Sequence, residues 1–264
     1  MKEGSVLVDV GMLEAKLEKY DGYMLMKFTS TYQFQQDFLD GKLFFNTTDF
    51  FAKCDNEGQG DPDEGNTFVI SPVNANLMAA NLEEVNGKLA IVVRDYSNSP
   101  ESYNPGAVWN MSAGENRYRK MICLYTMYVN VQCNEIAPFP EKMGKEFGEY
   151  GILILDRQQF FERVCAAIKK EVNIKKAQMG FVEYLQEKQV KGLVDWHPFL
   201  KMPKFEYQNE FRISFISDTT VPLKLELERD LRDIAVPIMA KDVGEFFMKE
   251  NALHYPVYKE NIDA

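Results

Sequence analysis

The run Tyr207-Gln-Asn-Glu-Phe-Arg-Ile-Ser214 constrains the fold more than any other stretch, because a period of two sorts it into unlike faces. Tyr207, Phe211, Ile213 and, one step on, Phe215 fall on one side, with Asn209 the polar exception. Gln208, Glu210, Arg212 and Ser214 fall on the other. A strand whose back packs on a core accommodates such a segment. Its polar face, a row of carboxamide, carboxylate, guanidinium and hydroxyl, either lines a cleft or is the solvated side of an antiparallel strand.

Strand patterns recur at 23–28, 43–46, 67–70, 89–95, 120–130, 181–185 and 223–227, while 151–155 is wholly apolar, the mark of an inner strand. Helical spacing appears at 7–20 and at 30–40, where Ser30 and Gln33 form a capping box and Phe34 and Phe38 share an inner stripe. Gly41 closes that helix. Asp156 and Gln159 open another, with Phe160, Val164 and Ile168 inward, and 241–251 reads as a last helix with Val243, Phe246 and Phe247 inward. The pairs Phe44-Phe45, Phe50-Phe51 and Phe246-Phe247 read as core. At 264 residues and 45% apolar content, one full core is affordable. The expected architecture is a single α+β domain over 1–264. It has a mixed, mostly antiparallel sheet, flanking helices and elaborations at about 80–117 and 186–204.

The formal charge is −10, and no run of basic residues forms an arm or patch, which argues against nucleic acid as a partner. A basic protein surface suits such a chain better. No apolar run reaches the roughly 20 residues that span a bilayer, so no membrane partner is expected. Four scattered cysteines without paired spacing, and an N-terminus without an apolar leader, fit a reducing, cytoplasmic setting. Two histidines exclude multi-histidine metal centres.

The acidic loop at 54–65 mimics the odd-numbered ligands of a calcium loop, through Asp55, Glu57, Gln59, Asp61 and Asp63. However, Asn66 occupies the place of the bidentate glutamate and the following segment is strand-like, so no metal is expected. Two readings stay open for it: a tight solvated turn, or a loop that sets Asp61 and Glu64 beside a cleft. No nucleophile elbow or phosphate loop is present.

The order Gly41-Lys-Leu-Phe-Phe45, Asp61-Pro-Asp-Glu64, Gln208-Asn-Glu-Phe-Arg212 resembles the layout of a group of bacterial and phage proteins, and more distantly that of the ADP-ribosyltransferase fold. The second resemblance implies NAD as cofactor, with Glu210 as the catalytic glutamate holding the ribose 2′-hydroxyl and Gln208 orienting the acceptor. It sets Lys27, Thr29 and Ser30 on the cofactor-gripping opening strand, and Arg212 as a partner of Glu210 or a phosphate ligand. That superfamily carries His or Arg where this chain has Lys27, and one ammonium does not reproduce a guanidinium fork. Two functions follow from the resemblances. The chain is an NAD-dependent enzyme modifying a protein or small molecule, or a non-catalytic phage or bacterial protein that binds a defence or host factor through its acidic surface.

Overall fold

The computed structural model describes residues 2–8, 19–54, 59–61, 64, 66–71, 78–85, 88–95, 109–110, 115–171, 173–185, 192–195 and 197–257. The chain opens with β1 (Lys2–Leu7), β2 (Gly22–Thr29), α1 (Tyr32–Leu39), β3 (Lys42–Thr47) and α2 (Thr48–Lys53). Next come β4 (Asn66–Ser71), β5 (Met78–Val85), β6 (Lys88–Asp95) and β7 (Trp109–Asn110). The middle holds β8 (Arg119–Asn130), β9 (Glu135–Ile136), α3 (Lys142–Phe147), β10 (Tyr150–Ile154) and α4 (Arg157–Lys170). After these run β11 (Lys175–Phe181), β12 (Glu183–Tyr184), β13 (Gly192–Asp195), β14 (Leu200–Lys201) and a 3-10 turn at Pro203–Gln208. The chain closes with β15 (Glu210–Ile216), β16 (Leu223–Glu226), β17 (Ala235–Met239), a 3-10 turn at Ala240–Glu245, β18 (Phe247–Lys249) and β19 (Ala252–Val257).

Strands dominate this α+β architecture, and among the described residues every strand pair is antiparallel except β12 with β14. The main sheet has the order β11-β15-β8-β2-β10-β17, with β3 and β9 also pairing to β8, and β16 to β3. Alternation along its strands gives it two greasy faces. Leu25, Ile122, Leu124, Ile152, Phe211, Ile213 and Phe215 pack beneath α1 and α4. Met24, Met26, Phe28, Tyr125, Met127 and Leu153 pack on the other side with Met143, Val243, Met248 and Leu253, under a small β1-β19-β18 sheet. The inner strand expected at 151–155 is β10, held between β2 and β17. The two expected elaborations share one sheet, since β13 pairs with β4 in the order β13-β4-β5-β6-β7.

One structural break positions the site. The β2–β8 ladder runs from Gly22 to Met26 and stops, while β10 accompanies β2 onward to Thr29. At its other end β8 is claimed by β3, through Asn46 and Thr47 opposite Met121 and Lys120. The sheet therefore splits between Lys27 and Cys123.

Several expectations are corrected. Residues 241–251 form a 3-10 turn and then a hairpin, not a helix: Glu250 and Asn251 adopt φ of 52° and 64°, making the two-residue turn between β18 and β19. Val243 and Phe246 are buried as expected, but Phe247 is 45% exposed. The cap of α1 is Thr31, whose hydroxyl accepts from the Phe34 amide, rather than Ser30. Gly41 does take the positive φ expected of it, 80°. The helix expected at 7–20 falls mostly outside the described residues, but Leu7 ends β1. No helix among the described residues is long and apolar enough to cross a membrane.

Candidate functional site

The polar row at 208–214 is not solvated. Every residue of β15 is buried, and Gln208 ends the preceding 3-10 turn rather than lying on the strand. Asn209 makes the transition, with φ of 40°, a left-handed conformation that asparagine tolerates. That kink keeps Gln208 on the side of Glu210 by bending the chain, not by strand alternation.

The buried charges form one network. Arg212 donates from Nε to Glu210 Oε2 at 2.7 Å, and from Nη1 and Nη2 to the two oxygens of Glu64 at 3.1 and 2.8 Å. Its Nη1 also reaches the Pro198 carbonyl at 2.5 Å. Lys201 Nζ donates to Glu210 Oε1 at 2.7 Å and to Gln208 Oε1 at 2.6 Å, and lies 3.9 Å from Asp61. Asp61 and Glu64 thus both reach this network, and the solvated-turn reading of the acidic loop fails at those two residues. The Tyr184 hydroxyl accepts from the Glu210 amide, and the Tyr207 hydroxyl donates to Glu146 while accepting from Gln208.

These surroundings set the protonation states. Burial alone would push the Glu210 carboxyl up, but the charges and hydrogen bonds of Arg212 and Lys201 override it and hold the pKa down to about 2. Glu210 is a permanent anion at physiological pH. Burial pushes the Glu64 carboxyl above its ordinary value, and Arg212 offsets that only in part. Burial, reinforced by Glu210, drives the Cys123 thiol up to about 12, so it stays protonated.

The network forms the floor of a cavity of about 670 Å³ that opens at the split in the sheet. Lys27, Thr29, Ser30, Glu64, Gln208, Glu210 and Arg212 all line it, while Asp61 is buried behind Lys201. Lys27 Nζ donates to the Cys123 carbonyl at 3.0 Å, in place of the ladder partner that β8 loses where β2 leaves it. The Thr29 hydroxyl is occupied with the Thr31 and Tyr150 carbonyls.

The walls were not foreseen. Phe34 from α1, Phe44 from β3 and Phe50 from α2 line the cavity while remaining 57%, 55% and 42% exposed. Phe34 therefore does not share the stripe of buried Phe38, and of the pair Phe44-Phe45 only Phe45 is core. The alternation of β3 carries that signal, since neighbours on a strand face opposite ways. Lys201 also escaped notice. A lone lysine between Leu200 and Met202 is the pattern of a cation pulled inside to meet carboxylates. Lys42 and Lys224 line the cavity as well.

No protein-family model, no curated protein and no solved structure matches this chain. Among the described residues no group of three or more His, Cys, Asp or Glu stands together as a metal site. The carboxylates of the cavity floor are met by guanidinium and ammonium instead.

Proposed function

We propose that the chain is an ADP-ribosyltransferase-like protein that takes NAD, as a substrate, into the split-sheet cavity and transfers ADP-ribose to a protein or small molecule. One observation carries the reading: Glu210 is a carboxylate held ionised on the floor of a cavity with aromatic walls. A fixed anion of this kind stabilises positive charge that develops on a ribose as its glycosidic bond breaks, and it needs no rearrangement to do so. Each carboxylate oxygen keeps a further lone pair after its bond to Lys201 or Arg212, so a sugar hydroxyl can still be accepted. Phe34, Phe44 and Phe50 offer ring faces for a base, Lys42 and Lys224 offer charge for phosphates, and the volume falls within the range of small-molecule sites.

Labelled NAD offered to the wild type and to Glu210→Gln, with lysate protein as acceptor, tests this. Transfer by the wild type and its loss in the variant are expected. Equal transfer by both, or no transfer and no NAD binding by the wild type, overturns the reading. Phe44→Ala lies outside the charged network and serves as a second variant that should fold normally and bind NAD more weakly.

A second reading, a non-catalytic protein-binding role, is favoured by the same three exposed phenylalanines, which would also seat an apolar side chain of a partner. Its mark would be recovery of one basic partner at low salt, lost in Phe44→Ala and kept in Glu210→Gln.

A further inference from the structure

Three cations, Arg212, Lys201 and Lys27, line the inner part of the cavity, and among the described residues two of them are met by carboxylates. Arg212 is held by Glu64 and Glu210, and Lys201 by Glu210 with Asp61 nearby. Lys27 is different: the hydrogen-bond acceptor it has is a neutral backbone carbonyl, that of Cys123. It sits where the sheet splits, on the cavity wall, with Ile122 and Leu124 beside it on the lining. Lys27 is a half-buried residue of the cavity lining, and desolvation there penalises its ammonium form.

We propose that Lys27 is a reactive amine that captures aldehydes or ketones entering the cavity, as an imine. The proposal is independent of the NAD reading, which needs Glu210 and asks nothing nucleophilic of Lys27. In the step, the Nζ lone pair forms a bond to the carbonyl carbon and the carbonyl π pair moves to oxygen, which takes a proton. The resulting carbinolamine then loses water. The balance is amine plus carbonyl giving imine plus water, with no change of oxidation state. Burial lowers the pKa of Lys27, opposed by the neighbouring Cys123 and Glu210, which raises the share of neutral amine relative to a surface lysine. The walls favour carbonyl compounds that carry a planar ring, with an anionic group for Lys42 or Lys224.

The probe is pyridoxal 5′-phosphate, an aromatic aldehyde with a phosphate, added to the full chain in less than molar equivalence near neutral pH. Borohydride then fixes any imine as a secondary amine, and peptide mapping locates it. The expected result is labelling of Lys27 at least about tenfold faster than of exposed lysines such as Lys53, which lies in a surface ion pair with Asp49. Lys27→Arg keeps the charge and the hydrogen bond and should abolish the fast label while leaving the slow surface labels unchanged. Labelling of Lys27 no faster than of Lys53 in the wild type overturns the proposal, without reference to any variant. Loss of NAD transfer in Glu210→Gln with fast labelling of Lys27 intact would separate the two proposals, as would the reverse.

Discussion

Glu64 and Arg212, 148 positions apart in the chain, meet through two parallel hydrogen bonds of 3.1 and 2.8 Å, with both side chains almost wholly removed from solvent. This fork ties the acidic loop to β15, and through Nε of the same guanidinium to Glu210. A buried charge is tolerated only when its partners are in place, so the cavity floor is expected to form as a unit.

Replacing Arg212 by Met strands Glu64 in the interior and leaves Glu210 with Lys201 as its remaining cation. The expected loss is about 3–5 kcal/mol of unfolding free energy. Arg212→Lys should recover little of it, because one ammonium cannot serve Glu64 and Glu210 with the same geometry. Urea denaturation of the three proteins at neutral pH measures this, and a loss under about 1 kcal/mol for the Met variant would contradict the network's role.

Acid should weaken the fold through Glu210. Its folded-state pKa, about 2, lies below the ordinary 4.5, so ionisation stabilises the native state at every pH above about 4.5. That stabilisation, on the order of 3 kcal/mol, drains away as pH falls from 4.5 toward 2. Glu64 shifts in the opposite direction, so the comparison is between the stability curves of the wild type and Glu210→Gln. Their difference should shrink across that acid window and stay flat from pH 5 to 8.

Phe34 and Phe38 are four residues apart on α1, yet one is 57% and the other 4% exposed. Phe38→Ala is expected to cost about 3–5 kcal/mol through the cavity it leaves against Phe160. Phe34→Ala should change stability by less than about 0.5 kcal/mol. Its effect should appear instead as weaker binding of any ligand with a ring to stack. Paired thermal melts and calorimetric titration with NAD separate the two.

Gly148 cannot carry a side chain. Its φ is 114°, and a Cβ there would lie 2.1 Å from the Thr29 carbonyl oxygen, at the end of β2 that lines the cavity. Gly148→Ala should destabilise the protein by more than about 2 kcal/mol and shift Thr29 and Ser30. Near-native stability of this variant would show that α3 can move away from β2 without cost.

Part of this molecule could be read along the chain. The wholly apolar run at 151–155 could only be an inner strand, and Asp156 with Gln159 marked the start of α4, where the side chain accepts from the Gln159 amide. Of the apolar set Tyr207, Phe211, Ile213 and Phe215, the last three pack together as their spacing requires, while Tyr207, in the 3-10 turn before the strand, packs with the cluster on the opposite face. The stretch 241–251 misled because Val243, Phe246 and Phe247 mimic helical spacing. Pairing with β19 wins there, since Met248 and Leu253 are then buried on one face.

Local order in the sequence therefore determined which faces are greasy, because side-chain direction follows from backbone geometry over two to four residues. It also brought Gln208, Glu210 and Arg212 within a few residues of one another. Only the tertiary structure decided that these groups are buried, that Lys201 and Glu64 are their partners, and that the sheet opens between Lys27 and Cys123. Those outcomes depend on which distant segments exclude water together, and a charge is driven to its partner by burial that no short window of sequence contains.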